Sequence, residues 1–386
     1  MASPTPRVLI TPLNWGLGHA TRCIPIIHEL QAMQCEVIIG ANGAAAGLLQ
    51  QEFPTLQHIN TPGLTIRYGT TKIGFFFSLL WQLPALFRQL REERKWIQKL
   101  VEEFQPQLII ADNRYGMYHE AVASVLITHQ LGIKTGMGKL ADQLLQQFLY
   151  RLIKRFSEVW VPDYPGAASL AGTLSHPHIL PKVPVFYIGP LNRFAKFPTD
   201  EVTQNRKVDD SSLLILLSGP EPQRTLLENI LKKQLINYTG KVTLLRGLPE
   251  KARGHEAPAG AATPLPLYYG PQPIEILDHL PPKELFESIQ QAHLVLCRSG
   301  YTSLMELLPL QKKLILIPTP GQPEQEYLAH YCKEKGVAVF GAQEKLVLRN
   351  LIDQANRHDY RHPAIDPTEC TGLVHQRVRY YLRSLY

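Results

Sequence analysis

The segment over residues 11–25, TPLNWGLGHATRCIP, places Gly16, Gly18 and His19 between an aliphatic run and a stretch typical of a helix. Glycines at such a position let backbone N–H groups approach a ligand closely, and the start of the helix adds partial positive charge. The loop therefore predicts a binding site for a phosphate, a dinucleotide or a sugar.

Two common nucleotide loops do not fit this segment. The dinucleotide fingerprint needs a third glycine where the chain has Thr21, and an acid at the end of the next strand, where VIIGANGAA has none. A P-loop needs a lysine where the chain has His19-Ala20. What remains is a glycine turn that presents His19 at the carboxyl edge of a parallel sheet, where open α/β sheets bind ligands.

A second segment, CRSGYTSLMELLPLQKKLILIPTPGQPEQEYLA over residues 297–329, also combines strands with polar side chains. Its first strand ends at Ser299-Gly300, the following helix carries Glu306, and a loop after the next strand delivers Gln325 and Glu326. These polar groups are expected at one sheet edge, because the carboxyl ends of parallel strands meet there.

The second segment resembles the MurG type of GT-B glycosyltransferases. That family has C-R-S/A-G, a glutamate seven residues after the Ser/Ala, and then a strand that ends in proline before a loop with paired glutamines. Ser299 to Glu306 and Pro318 to Gln325 both match at seven residues, whereas Glu326 replaces the second glutamine. The likeness extends to LLSGPEP, residues 216–222, near the family's donor-phosphate turn, and to the first loop, where the family's G-G-x-G-G-H is shortened to G-L-G-H.

The resemblance implies an inverting glycosyltransferase, a hexosyltransferase that moves a hexose or an N-acetylhexosamine from a UDP-sugar to a hydroxyl acceptor. The UDP-sugar is the co-substrate, and no cofactor is implied. Asn14, Gly16 and Gly18 form the acceptor-side loop. The donor-binding residues implied are Ser218, Gly219, Leu280, Arg298, Ser299, Gly300, Thr302, Glu306, Gln325 and Glu326.

The chemistry expected from these residues needs no metal ion, because the chain has no Asp-x-Asp of the kind that metal-dependent transferases display. Backbone N–H groups at Ser218-Gly219 and Ser299-Gly300, with Arg298, are expected to stabilise the departing diphosphate. His19 is expected to remove the proton of the acceptor hydroxyl, and Asp112, which ends the strand LIIAD, to orient His19.

Each of these residues also has an ordinary structural interpretation. Ser303-x-x-Glu306 fits a capping box, and Gln325-Glu326 fits the solvated start of a helix. His19 could cap its helix, and Asp112 could pair with Arg114. The residues alone leave these alternatives open.

Two sets of short aliphatic runs, alternating with helical stretches, position these residues. The runs are bounded by Gly, Pro or Asp, as in parallel sheets that helices cover on both faces. The fold predicted is α/β of the GT-B type, with two Rossmann-like doubly wound domains facing across a cleft. The domains are expected at residues 1–200 (acceptor side) and 201–365 (nucleotide-sugar side), and a helix over residues 366–386 is expected to pack back on the first domain. A polar hinge is predicted over residues 196–212 and a surface loop over residues 249–266.

Composition adds less about function. The chain of 386 residues is 45% hydrophobic and 19% charged, with a net charge of +7, as in an ordinary soluble protein with anionic partners. Its five cysteines have no C-x-x-C spacing, which favours neither a disulfide framework nor a zinc site. With no signal-peptide core before the first strand, a cytoplasmic location is expected.

Residues 72–96, KIGFFFSLLWQLPALFRQLREERKW, join an apolar stretch to a basic one. The apolar part is too short to span a bilayer and includes Gln82 and Pro84, but it suits the interface of an anionic membrane, with Lys72, Arg88, Arg91, Arg94 and Lys95 near the headgroups. This predicts peripheral binding to the inner face of the cytoplasmic membrane and a lipid or lipid-linked acceptor. The alternative is a core helix with a solvated charged end.

Two other classes of function share some of these features. A non-hydrolysing UDP-sugar epimerase has the same two-domain architecture and isomerises the nucleotide sugar without an acceptor. A nucleic-acid-binding protein could account for the charge of +7, but the basic residues are dispersed and no recognition motif is present, so no nucleic acid is expected as a partner.

Overall fold

The structure, a computed structural model, describes residues 5–14, 16–63, 72–197, 210–248, 267–268, 273–363 and 369–383. The chain divides into two compact units. The first comprises Met1–Gly69, Ile73–Arg193 and Asp366–Tyr386, and the second comprises Thr70–Lys72 and Phe194–Ile365. Most of the expected hinge, residues 198–209, and the expected surface loop over residues 249–266 lie outside the described residues.

The first unit is built on a parallel sheet of seven strands. The order is β3-β2-β1-β4-β5-β6-β7, which places β1 and β4 side by side at the centre. The strands are β1 (Arg7–Pro12), β2 (Glu36–Ala41), β3 (Gln57–Asn60), β4 (Leu108–Asp112), β5 (Ala123–Ile127), β6 (Glu158–Val161) and β7 (Val185–Tyr187). The helices are α1 (Leu17–Ala32), α2 (Gly43–Glu52), α3 (Lys72–Phe104) and α4 (Lys139–Ile153).

The second unit repeats this plan with seven strands in the order β10-β11-β9-β8-β12-β13-β14. Its strands are parallel except for β10, which pairs antiparallel with β11. They are β8 (Leu213–Leu216), β9 (Val242–Leu245), β10 (Leu267–Tyr268), β11 (Pro273–Leu277), β12 (Leu294–Cys297), β13 (Lys313–Leu316) and β14 (Ala338–Phe340). The helices are α5 (Gln223–Leu235), α6 (Pro282–Gln291), α7 (Tyr301–Leu307), α8 (Pro323–Glu334) and α9 (Leu348–Arg357).

The central strands of both units are buried runs of Val, Leu and Ile, because helices cover both faces of each sheet. The expectation of two parallel-sheet α/β domains is therefore confirmed. Among the described residues, no helix combines the length and the apolar character needed to cross a membrane.

The last helix, α10 (Glu369–Leu382), lies on the first unit although it follows the second in sequence. Its buried face, which includes Val374 and Val378, joins the same core cluster as α1. His375 Nδ1 lies 2.6 Å from Glu29 Oε1 on α1, and Arg377 Nε donates to Glu158 Oε1 at 3.1 Å. Apolar packing and ion pairs together attach this helix to the first sheet.

Candidate active site

His19 lies at the carboxyl edge of the first sheet, in the first turn of α1. Its Nδ1 is 2.9 Å from Oδ2 of Asp112, the last residue of β4. The carboxylate is fully buried, and 14% of the His19 side chain is exposed. Because β1, which leads into α1, pairs with β4, the sheet brings together two residues that are 93 positions apart in sequence. Asp112 does not pair with Arg114, so that alternative is wrong.

Arg22 is a member of this cluster that the motif search missed. Its Nε lies 3.0 and 2.9 Å from the two carboxylate oxygens of Asp112, and its Nη2 also donates to Oδ1. Arg22 is three residues after His19, a spacing that puts both side chains on one face of a helix. That spacing was the signal in the sequence that could have identified it.

His129 was also missed. It follows β5, and its Nδ1 lies 3.0 Å from Nη1 of Arg22. His129 lies two positions after the aliphatic run VLI that ends β5. Because β5 pairs with β4, His129 lies at the same sheet edge as Asp112. Arg114 instead donates from Nε to Glu93 Oε1 on α3 at 3.0 Å, in a separate buried pair.

Burial and charge set the protonation of this cluster. Burial lowers the pKa of His19 below its ordinary 6.5, and the charge of Arg22 lowers it further, against the opposing effect of Asp112. Burial by itself would raise the pKa of Asp112, but Arg22, followed by His19, outweighs burial and lowers that pKa. At neutral pH the arrangement therefore holds a neutral imidazole against an ionised carboxylate, the state a general base needs.

The loop before His19, which is expected on the acceptor side, contains a glycine with a positive φ. Gly16 has a φ of 98°, which favours glycine, and caps the start of α1 without a side-chain hydrogen bond. Gly18 is a helical residue and not part of the turn. Asn14 faces α2, because its Oδ1 accepts a hydrogen bond from the Ala45 N–H at 3.4 Å.

Several of the expected donor residues, Ser218, Gly219, Ser299 and Gln325, lie at the carboxyl edge of the second sheet. The neighbouring strands β8, β12 and β13 end in register at Leu216, Cys297 and Leu316, so their following loops are adjacent. Ser218 and Gly219 lie exposed in the loop after β8, where Gly219 has a φ of 104°. A β-carbon at Gly219 would lie 3.8 Å from Thr319 Oγ1, in the loop after β13.

Ser299 and Gln325 hold these loops together. Ser299 Oγ donates to the backbone oxygen of Gln325 at 2.8 Å. The Gln325 side chain accepts from the Thr319 N–H at 2.9 Å and donates to Gln322 Oε1 at 2.6 Å. Gln325 and Glu326 lie in the first turn of α8, as the helix-start alternative expects, but they are half-buried, and the amide of Gln325 joins this turn to the loop after β13.

Arg298 follows β12 and bonds to the backbone of two other segments. It is buried, and its guanidinium group donates to the backbone oxygens of Ile317 at 3.1 Å, Pro318 at 3.2 Å and Gln223 at 2.8 Å. These contacts join the end of β13 to the start of α5. They give Arg298 a structural role, and its expected contact with a diphosphate stays a prediction.

Glu306 is buried within α7, which begins at Tyr301 with Gly300 as its N-cap and no side-chain cap. Ser303 therefore lies inside the helix, so the capping-box interpretation is wrong. Thr302, Leu280 and Glu326 are half-buried. Within the described part of the chain, no group of three or more His, Cys, Asp or Glu side chains is placed to hold a metal ion.

Comparison with known proteins agrees with this architecture. Residues 269–363 match the glycosyltransferase family 28 C-terminal domain, a range that includes the loops after β12 and β13. An uncharacterized glycosyltransferase of Methanosarcina acetivorans is 23% identical over 86% of this chain and 84% of its own length.

Two further proteins connect the chain to MurG. A UDP-N-acetylglucosamine--N-acetylmuramyl-(pentapeptide) pyrophosphoryl-undecaprenol N-acetylglucosamine transferase of Syntrophus aciditrophicus is 23% identical over 69% of this chain and 68% of its own length. The crystal structure of MurG from Acinetobacter baumannii superposes with a TM-score of 0.53 at 12% identity, covering 99% of this chain and 98% of that one. With its two parallel-sheet α/β domains and the matched C-terminal domain, the chain is a glycosyltransferase with the GT-B fold that is similar to the MurG type.

Proposed function

We propose that this enzyme transfers a hexose or an N-acetylhexosamine from a UDP-sugar to a hydroxyl acceptor, with inversion and without a metal ion. The observation that carries the proposal is the 2.9 Å contact between His19 Nδ1 and the buried Asp112 carboxylate. An imidazole held in this way can accept a proton at Nε2 while Asp112 stabilises the resulting positive charge.

The proposed reaction is a single displacement. His19 Nε2 takes the proton of the acceptor hydroxyl as its oxygen forms a bond to the anomeric carbon, from the face opposite the leaving group. The bond from that carbon to the diphosphate breaks, and the electron pair leaves with the diphosphate, which inverts the configuration. Backbone N–H groups at Ser218-Gly219 and Ser299-Gly300 stabilise the departing charge.

The donor is a nucleotide sugar held by the second unit. Glu306 accepts hydrogen bonds from the ribose hydroxyls, and Glu326 and Gln325 face the sugar hydroxyls, as hydrogen-bond acceptors suited to polyols. Two comparisons support a UDP-sugar: the family 28 domain over residues 269–363 and the UDP-N-acetylglucosamine transferase of Syntrophus aciditrophicus.

Thermal shift with a panel of sugar nucleotides tests the donor, because a ligand that binds the native state raises its melting temperature. A UDP-sugar should raise the melting temperature more than the matched GDP- and TDP-sugars do. Sugar analysis after turnover then distinguishes transfer to an acceptor from isomerisation of the nucleotide sugar. An isomerised UDP-sugar formed without acceptor would reject the transferase in favour of an epimerase.

The acceptor is proposed to be lipid or lipid-linked, on the evidence of an exposed apolar surface in the first unit. Leu140 and Leu144 on α4 are 72% and 61% exposed and lie one turn apart. The next residue of that row, Phe148, packs edge to face on Phe87 of α3 at 5.8 Å, and Phe87 is itself 44% exposed. Apolar side chains in such a row suit the interfacial region of a membrane.

Basic side chains of α3 adjoin this surface. Arg88, Arg91 and Lys95 are exposed, with Arg91 one turn after Phe87. Arg94 differs from the other basic residues, because it donates to the Tyr118 backbone oxygen and pairs with Glu120. Lys72 and the aromatic side chains of residues 75–77 lie outside the described side chains, so the expectation for them stays a prediction.

Vesicle binding tests the membrane proposal. Combining Arg88→Glu, Arg91→Glu and Lys95→Glu should abolish binding to anionic vesicles, because each basic residue near the surface contributes about 1 kcal/mol. Combining Lys241→Glu, Lys345→Glu and Arg349→Glu makes the same change in net charge on exposed residues of the second unit and should leave binding intact. Normal binding by the first triple variant would overturn the proposal and leave a soluble acceptor. The proposed location is therefore the inner face of the cytoplasmic membrane, to which the enzyme binds peripherally.

A further inference from the structure

We propose that Arg22 is the positioning residue of the His19–Asp112 pair: its guanidinium group fixes the carboxylate in the orientation that receives the imidazole N–H. The inference deepens the proposed function, since it rests on His19 being the base. Arg22 is a buried charged residue that has no other role in the proposed donor and acceptor sites.

The geometry around Arg22 supports this task. Arg22 is 2% exposed and approaches Asp112 through two of its three guanidinium nitrogens, with Nε 2.9 and 3.0 Å from the carboxylate oxygens. The third nitrogen, Nη1, lies 3.0 Å from His129 Nδ1 in the loop after β5. An arginine only donates, so His129 Nδ1 accepts this bond. Contacts with the end of β4 and with the loop after β5 thus fix the planar group.

The same group decides which tautomer of His19 is present. His19 Nδ1 lies 2.9 Å from both Asp112 Oδ2 and Arg22 Nη2. A carboxylate accepts and an arginine donates, so one imidazole nitrogen cannot bond to both. Protonated Nδ1 bonds to Asp112 and leaves a lone pair on Nε2, whereas bare Nδ1 accepts from Arg22 and places the proton on Nε2. Because Arg22 keeps Asp112 ionised, the first tautomer is selected, and only that tautomer is a base at Nε2.

Cys23 and Tyr115 are further titratable side chains that lie near the pair among the described residues. Cys23 Sγ lies 4.0 Å from Asp112 Oδ2, and burial raises the pKa of this thiol well above its ordinary value, so it is neutral at pH 7. Burial likewise raises the pKa of Tyr115 to about 12. The charge of Arg22 lowers this pKa and the charge of Asp112 raises it. Within the described part of the chain, Arg22, Asp112 and His129 are therefore the titratable groups that act on the pKa of His19.

Nitrogen NMR of the imidazoles tests the inference without donor or acceptor. In the wild-type protein, His19 should titrate below pH 6.5 and carry its proton on Nδ1 when neutral. Arg22→Gln removes an adjacent positive charge and should raise the titration midpoint of His19 by about one pH unit. It should also lower kcat by about 10²-fold through misplacement of the base, with the KM for the donor unchanged.

A second variant keeps the test decisive if Arg22→Gln fails to fold. Arg22→Lys retains a positive charge beside Asp112, but an ammonium group cannot reproduce the planar two-nitrogen contact with the carboxylate together with the bond to His129. We expect a folded protein in which neutral His19 carries part of its proton on Nε2 and kcat falls. His28, also on α1 and 40% exposed, serves as the control in the same spectra, and its signals should be the same in the variants as in the wild type.

A folded Arg22→Gln or Arg22→Lys protein in which His19 keeps its wild-type titration and tautomer would overturn the inference. If the imidazole signals change as expected but no wild-type sugar transfer is found with any donor, the positioning by Arg22 stands and the proposed function fails. The two results are separate because the NMR experiment contains no substrate.

Discussion

The carboxyl edges of the two sheets are held together in different ways. In the first unit, charged side chains contact one another: Asp112 is bound by both His19 and Arg22. In the second unit, the edge loops are joined by side chains that bond to the backbone, as Arg298 bonds to Ile317 and Ser299 to Gln325. The first edge brings titratable groups into contact, whereas in the second, side chains hold the backbone of the loops in place.

The largest effect should come from the charged edge. His19→Ala should lower kcat by about 10²- to 10⁴-fold while donor affinity stays near that of the wild type, because the proton moves only in the transition state. Steady-state kinetics with a saturating acceptor, together with calorimetric titration of the donor, separate the two quantities.

His28→Ala, on the exposed part of the same helix, is the matched control and should keep full activity. If His19→Ala loses donor binding as strongly as it loses turnover, His19 binds the donor phosphates. The two sheet edges would then not differ in function.

A stability effect should follow from a change to the backbone-binding edge. Arg298→Met leaves the oxygens of Ile317, Pro318 and Gln223 without their buried donor and should reduce the free energy of unfolding by about 3 kcal/mol. Urea denaturation measures the change, and Arg349→Met, at an exposed arginine of α9, should unfold like the wild type. A variant that is as stable as the wild type but has lost donor affinity would indicate that Arg298 binds the diphosphate of the donor.

The smallest effect is expected at Glu306. Glu306→Gln replaces the carboxyl group proposed to accept hydrogen bonds from the ribose hydroxyls and should weaken donor binding by about 1.5 to 3 kcal/mol, with little change in stability. Calorimetric titration checks the affinity, with Glu334→Gln at the exposed end of α8 as the control. Unchanged donor affinity in a folded protein would remove Glu306 from the proposed site.

Much of the fold could be predicted from the sequence. The aliphatic runs RVLITPL, CEVIIGA and LIIAD become β1, β2 and β4, because continuous Val, Leu and Ile with a polar or Gly boundary suit a strand buried on both faces. The same reasoning holds in the second unit for β8, β12 and β13. Local pattern was sufficient here because each strand is specified by its own residues.

The site was predictable only in part. Sequence reasoning selected His19 and Asp112 because each follows a strand at a sheet edge, and the fold places them in contact. It considered Arg114 as the partner of Asp112, since the two are near in sequence, but Arg114 turns to Glu93 and Asp112 to Arg22. It also considered Ser303 as the first residue of a capping box, whereas α7 begins at Tyr301.

The sequence by itself determined the two α/β sheets and the sheet edges at which polar residues accumulate, because periodicity and strand ends are local properties. Only the tertiary structure decided which polar groups form hydrogen bonds and ion pairs with one another. Arg22 and Asp112 are 90 positions apart, and Arg22 and His129 are 107 apart. Their contacts depend on the order β1-β4-β5 across the sheet, and burial then makes each charge depend on the partner that the fold supplies.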